Sequence, residues 1–256
     1  MDLCLITCNI RFDNPADGLN SWQYRRDFLT KTLLKYGPSI IATQEGRFHQ
    51  LNELKVLLND YDLSDYHRSW IGERMYPTIF LKQGQFEHLR SGDNWLSETP
   101  DVAGSISFGS TFPRLMTWCE VQVKNSDQKF MLIDTHLDHM KSLTREGQVE
   151  VLVQQIQKIW DPNSFLVIMG DFNDSPESKV RELLTNEFHL TDAWKLFNSK
   201  EETSHHAFKG EMQNGSRIDW ILTDPRLKVK SCIMDKSVDG EAYPTDHFPI
   251  VCTITL

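Results

Sequence analysis

The stretch Phe165-Leu166-Val167-Ile168-Met169-Gly170-Asp171-Phe172-Asn173-Asp174-Ser175-Pro176 decides how the chain is read. Five apolar residues in a row, closed by Gly170, predict a buried strand that ends in a tight approach to its neighbours. Asp171 and Asn173 follow at a spacing of two, which in extended chain points both side chains the same way. A carboxylate beside an amide suits a site that orients a water while holding a phosphoryl oxygen. Asp171, Asn173, Ser175 and Glu182 also stand at calcium-loop spacing, but Pro176 occupies the position where that loop needs glycine.

The same grammar, an apolar run followed by a polar tip, recurs along the chain. Leu3 to Ile10 is a strand carrying Asn9, Ser39 to Thr43 leads to Gln44-Glu45, and Phe130 to Thr135 leads to His136. Asp219 lies in a strand spanning Arg217 to Leu222, and Asp246-His247 precedes the strand Phe248 to Ile254. Thr78 to Leu81, Phe86 to Leu89, Thr117 to Val123 and Val229 to Met234 complete the predicted strands. Strand ends favour Asn and Asp for turn geometry alone. For any one of these residues that explanation suffices, but the whole set predicts convergence on one rim. Three helices are expected: one capped by Ser21 with Trp22, Leu29, Leu33 and Tyr36 on a face and a stop at Gly37-Pro38; one through Leu51, Leu54, Leu57 and Leu58; and a long one through Val149, Leu152, Val153, Ile156 and Ile159. Many strands with few helices predict an α/β fold of packed sheets under covering helices, with residues 1–256 as one domain.

Composition narrows the function. The 256 residues are 39% hydrophobic and 25% charged, as in an ordinary soluble domain. The formal net charge of −9 argues against tight gripping of long duplex nucleic acid and favours short strands or small phosphorylated molecules. Five cysteines without C-x-x-C spacing read as small buried hydrophobes. Neither a signal peptide nor a membrane span is visible, and the cytoplasm is the expected location. Phosphate-loop, dinucleotide, zinc-protease and serine-hydrolase motifs are missing.

Thr135-His136-Leu137-Asp138-His139 and Thr245-Asp246-His247 each set a histidine beside an acid, the arrangement in which a carboxylate fixes a tautomer and the imidazole serves a phosphate oxygen. His139, His205 and His206 read as ordinary polar residues, with His206 the strongest exception. Phe12, Trp22, Trp95 and Phe112 could stack on a base, although aromatics of this kind are more often core.

Six short motifs in order, Cys8-Asn9-Ile10-Arg11, Gln44-Glu45, Thr135-His136-Leu137, Gly170-Asp171-Phe172-Asn173, Arg217-Ile218-Asp219-Trp220 and Thr245-Asp246-His247-Phe248-Pro249, resemble the endonuclease/exonuclease/phosphatase superfamily. Ser21-Trp22 and Trp95-Leu96-Ser97-Glu98-Thr99-Pro100 are similar to a bacterial branch of it with no settled substrate. The resemblance implies a four-layer sandwich, two mixed β-sheets face to face with helices outside. It also implies that Glu45 is the principal ligand of Mg²⁺ or Mn²⁺, helped by Asn9 and Asp246. Asp171 would then orient the attacking water, and Asn173 would hold a phosphate oxygen. His247 would contact the phosphate, braced by Asp219, while His136 binds phosphate or assists the leaving group. Some relatives place an acid behind the first histidine, and Glu73 is the candidate here. Arg11 and Arg114 are further candidates for phosphate contact.

The expected function is a divalent-metal-dependent phosphodiesterase or nuclease acting on short or single-stranded nucleic acid. The alternative is a phosphatase of a small phosphorylated metabolite, nucleotide or inositol phosphate. A non-catalytic binding module ranks third, since none of the key residues is missing. A phosphoester substrate is the only partner expected, with neither a membrane nor an obligate protein partner.

Overall fold

In the computed structural model, which describes residues 1–198 and 200–256, the strands are β1 (Asp2–Asn9), β2 (Ile40–Gly46), β3 (Tyr61–Leu63), β4 (Tyr76–Lys82), β5 (Phe86–Trp95), β6 (Leu115–Val123), β7 (Lys129–His136), β8 (Phe165–Asp171), β9 (Thr191–Asp192), β10 (Asp219–Thr223), β11 (Lys228–Met234) and β12 (Ile250–Thr255). The helices are α1 (Trp22–Leu34), α2 (Phe48–Leu57), α3 (Ser142–Ile159) and α4 (Lys179–Phe188). One sheet runs β11-β12-β1-β2-β4-β3 and the other β5-β6-β7-β8-β10-β9. Each is mixed: β1 and β2 are the parallel pair of the first, β7 and β8 of the second, and the remaining neighbours are antiparallel. The expected α/β four-layer sandwich is therefore the observed fold.

Period-two alternation explains the layers. On β1, Leu3 and Leu5 face the space between the sheets, while Ile6 and Cys8 face α1 and α2. On β7, Phe130 and Leu132 point between the sheets, while Met131 and Ile133 meet α3 and α4. Three apolar clusters result, one between the sheets and one under each helical layer. Each fully buried Leu or Ile in them contributes about 2 kcal/mol of transfer free energy.

Several local expectations are corrected. Ser21 occupies the N-cap position of α1, but its hydroxyl donates to Gly18 O at 2.6 Å instead of capping the helix. That helix ends at Leu34, before Tyr36. β5 extends to Trp95, well beyond Leu89, because its whole length pairs with β6. α4 was not anticipated. It places Val180, Leu184 and Phe188 on the cluster beneath α3. Four of the five cysteines are buried and all are free, as expected of small hydrophobes.

Candidate active site

Along the strands, the face between the sheets changes from apolar to polar toward one end. After Leu3 and Leu5 come Thr7 and Asn9; after Ile40 and Ala42 comes Gln44; after Phe130 and Leu132 come Asp134 and His136; after Val167 and Met169 comes Asp171. Asp219 opens β10 opposite Asp171. The parity that builds the core thus also aims the polar residues at one another. Gly170 permits the closest approach, since a Cβ there would lie 2.1 Å from Thr135 O.

Asp171 sits at the centre. Its Oδ2 accepts from Asn9 Nδ2 at 2.9 Å and lies 3.4 Å from His136 Nε2 and 3.8 Å from His247 Nε2. Its Oδ1 accepts the Asn173 backbone N–H at 2.9 Å. Burial and the charge of Asp219 raise its pKa, against the opposing pull of His247 and the Asn9 amide.

The two histidines are set in opposite states. His136 Nδ1 lies 2.9 Å from Arg114 Nη1. A guanidinium can only donate, so His136 Nδ1 accepts and the ring proton sits on Nε2, facing Asp171. Burial, with the positive charge of Arg114, pushes the His136 pKa well below its ordinary value. His247 Nδ1 is 2.9 Å from Asp219 Oδ2. Burial alone would lower its pKa, but the charge and hydrogen bond of Asp219, with Asp171 and Asp246, raise it to about 10. One histidine is a neutral donor and the other an imidazolium.

Glu45 has φ 66°, which turns its side chain from the alternation of β2 into the recess. Its Oε2 accepts the Phe12 N–H at 3.0 Å and its Oε1 is 4.0 Å from His136 Nε2. Asp246 lies 3.8 Å from both Arg11 Nε and His205 Nε2. Burial would raise its pKa, but His205, His247 and Arg11 hold it well below the usual carboxylate range. These residues share a recess of about 510 Å³, a volume suited to a small ligand.

Other residues depart from expectation. Asn173 is not in extended chain: φ is 51°, because its N–H turns back onto Asp171, and its side-chain amide donates to Leu137 O at 3.0 Å. Glu73 is not behind His136, whose Nδ1 is taken by Arg114; it is exposed and 3.8 Å from Arg47. His206 is buried outside the recess, stacked on Phe248 at 4.0 Å, whereas His139 and His205 line the recess. Trp22 and Trp95 belong to the core, but Phe12 and Phe112 are at the site. Arg11 pairs bidentately with Asp17 at 3.0 and 3.1 Å. Arg114 is buried, forms no ion pair with any described carboxylate, and has a buried Nε without a partner.

One clamp was invisible in the sequence. Buried Arg25, on α1, donates to the backbone oxygens of Ile10 at 2.6 Å, Arg11 at 2.7 Å, Asn20 at 2.9 Å and Pro244 at 3.3 Å. It ties the tip of β1 to the segment that presents Asp246 and His247.

Two groups of side chains lie close enough to share a cation among the described residues: His205 with Asp246 and His247, and Asp171 with Asp219 and His247. Both rely on His247, which is an imidazolium committed to Asp219. Glu45, Asn9 and Asp246 instead offer oxygen donors alone, the set that suits a hard divalent cation. No described helix is long and apolar enough to cross a membrane.

Comparison with known proteins agrees with this architecture. The crystal structure of an endonuclease/exonuclease/phosphatase from Bacteroides vulgatus is similar over 100% of this chain and 99% of its own, at 29% identity and a TM-score of 0.89. A mannosyl-6-phosphatase from Bacteroides thetaiotaomicron shares the fold over 99% of this chain and 100% of its own, at 24% identity and a TM-score of 0.86. The 3'-5'-exoribonuclease subunit of the Candida albicans CCR4-Not complex is 22% identical over 301 aligned positions, covering 92% of this chain but only 38% of that relative. Hydrolysis of phosphoesters is the chemistry common to these nucleases and phosphatases. A family model described as the Endonuclease/Exonuclease/phosphatase family matches residues 6–247. With the two mixed sheets and the rim of strand-end acids and histidines, this shows that the chain belongs to the endonuclease/exonuclease/phosphatase family.

Proposed function

We propose that this chain is a divalent-metal-dependent phosphoester hydrolase, folded as one domain, whose substrate is a small phosphorylated molecule. The observation that carries the reading is Arg114, a buried guanidinium without a carboxylate partner in a recess that also holds Asp171. An unpaired buried cation is costly, and a bound phosphoryl group supplies the missing charge and acceptors.

Asp171 holds the attacking water and accepts its proton, and its raised pKa suits that work near neutral pH. Arg114, the Nε2–H of His136 and the imidazolium of His247 donate to phosphoryl oxygens as negative charge builds. Asp219 keeps His247 protonated and oriented. Asn173 fixes the Asp171 turn and lines the recess. Arg11 neutralises charge beside Asp246. Lewis-acid polarisation of the phosphoryl group would come from Mg²⁺ or Mn²⁺ held by Glu45, with Asn9 and Asp246 completing the oxygen set.

The size of the recess and the net charge of −9 favour a small phosphomonoester over a long strand. The fold shared with a mannosyl-6-phosphatase is in keeping with that choice. A nuclease acting on short or single-stranded nucleic acid is the second reading. It is favoured by Phe112, which is partly exposed in the recess and stacked on His139 with centroids 6.0 Å apart.

The test is release of inorganic phosphate from a panel of phosphorylated sugars, nucleotides and inositols, run beside end-labelled single-stranded RNA and DNA, with Mg²⁺, Mn²⁺ or EDTA. Metal-dependent phosphate release without strand cleavage is the expected result. Strand cleavage without phosphate release would transfer the assignment to the nuclease, and inactivity on every substrate would sink both.

A further inference from the structure

We infer that the recess contains a second anion subsite, built by Arg47 and Arg74, so that the substrate carries another anionic group away from its scissile phosphate. The inference rests on reading the recess as a phosphoester site, and it concerns residues with no part in the proposed chemistry.

The placement follows from strand pairing. Gly46 on β2 pairs with Tyr76 on β4, so Arg47 leaves one strand beside the point where Arg74 and Met75 enter the other. Both arginines line the recess on the side of the first sheet, whereas Arg114 approaches from β6 in the second. Glu45 and His136, 4.0 Å apart, lie at the junction of the two sides.

Neither arginine is hydrogen-bonded to a described carboxylate. Arg47 Nε is buried without a partner, and its Nη1 spends one hydrogen bond on Asp13 O at 3.1 Å. Its nearest described carboxylate is the exposed Glu73, at 3.8 Å, beyond hydrogen-bonding distance. The Arg47 guanidinium lies over the Phe12 ring, 4.9 Å from its centroid, which fixes its plane without satisfying its donors. Arg74 is exposed, and among the described residues its side chain makes no hydrogen bond or ion pair. Two guanidinia thus line one side of the recess, and among the described residues the one carboxylate within 4 Å of either is that of Glu73, beside Arg47. In a chain of net charge −9 this is a local reversal of sign. Paired guanidinium forks match the oxygens of a phosphate or carboxylate, and either group is the expected occupant.

The test is calorimetric titration of the full chain in EDTA, so that binding is read without turnover. The probes are propyl phosphate, 3-carboxypropyl phosphate, and the bisphosphates of propane-1,3-diol and hexane-1,6-diol. At least one doubly anionic probe should bind about tenfold tighter than propyl phosphate, the gain expected of one added charge-assisted contact. Arg74→Gln, which removes no intramolecular bond, should lose part of that gain. Arg47→Gln/Arg74→Gln should lose it all while binding propyl phosphate as before. A gain shown by the carboxylate probe assigns the subsite to carboxylates, and a gain confined to a bisphosphate assigns it to a second phosphate. Equal affinity for all probes, or a gain that survives the double substitution, would refute the subsite and leave the phosphoester reading intact. Failure of every probe, propyl phosphate included, would refute both.

Discussion

The two sheets are built to the same plan and put to different use. In each, a parallel pair joined by a crossover helix, β1–α1–β2 or β7–α3–β8, is flanked by antiparallel strands in the same pattern. The registers correspond: Asn9 pairs with Gln44 at the tip of one sheet, and His136 with Asp171 at the tip of the other. From equivalent positions, however, the first sheet presents neutral amides and gains its carboxylate, Glu45, one residue later through a positive φ. The second presents a histidine and a carboxylate directly. On the proposed assignment, the tips of β1 and β2 would supply oxygen ligands and those of β7 and β8 proton-handling groups, so the chemistry would depend on how the halves face each other.

Four substitutions test this contrast. The largest effect belongs to the second sheet: Asp171→Asn should lower turnover about a thousandfold while the thermal melt is retained. Near-normal rates would remove Asp171 from the centre of the scheme. In the first sheet, Glu45→Gln should act through the metal, raising the Mg²⁺ concentration for half-maximal rate by roughly ten- to a hundredfold. An unchanged Mg²⁺ titration would mean that the first sheet does not hold the cation.

The next two concern the seam between the halves. Asp93 on β5 takes Arg68 Nε and Nη2, at 2.8 and 3.0 Å, from the segment between β3 and β4. Burial opposes ionisation of Asp93, but Arg68 and His67 hold its pKa below the ordinary range. Its stabilisation is therefore complete above the unfolded value, about 3.9, and fades as pH falls below that. Arg68→Met should cost about 3 kcal/mol near neutral pH and flatten the acid limb of the stability curve. An unaltered limb in acid melts would refute the pairing.

Asp134 on β7 is the reverse case. It accepts from Gln44 Nε2 at 2.7 Å and Thr78 N at 2.9 Å, with only neutral donors in direct contact, and burial raises its pKa well above the usual value. Its favourable contribution is full below about pH 3.9 and declines as pH rises toward the folded pKa. Asp134→Asn should thus keep or raise the melting temperature by the equivalent of about 1 kcal/mol at neutral pH, an advantage that disappears near pH 4. The buried, unpartnered Gln44 Oε1 offers an acceptor for the new amide. Strong destabilisation at pH 7 would show that Asp134 is held as an anion.

The sequence exposes what is local and periodic. Strand tips carrying Asn9, His136, Asp171 and Asp219 are legible because alternation determines both the core and the direction of the polar ends. The Glu45 turn is not, since a positive φ at a glutamate is imposed by its surroundings. The Arg25 clamp is equally hidden, because its acceptors are backbone oxygens that fold up around it. α4 follows a proline-containing turn, and its polar residues mask a stripe of only three buried side chains. Pairings such as Asp2 with Thr255 lie beyond the reach of any local pattern.

That last pairing has a consequence for synthesis. β1 is central in its sheet, yet its antiparallel neighbour β12 follows it in the chain only after every other described strand. While the chain emerges from the ribosome, one edge of β1 must wait with its backbone groups open, exposed to pairing with other strands. Asp246 and His247 lie just ahead of that closing strand and are positioned by its pairing with β1. The rim is therefore completed only when β12 closes on β1, and a chain cut ahead of β12 should leave that edge of β1 open.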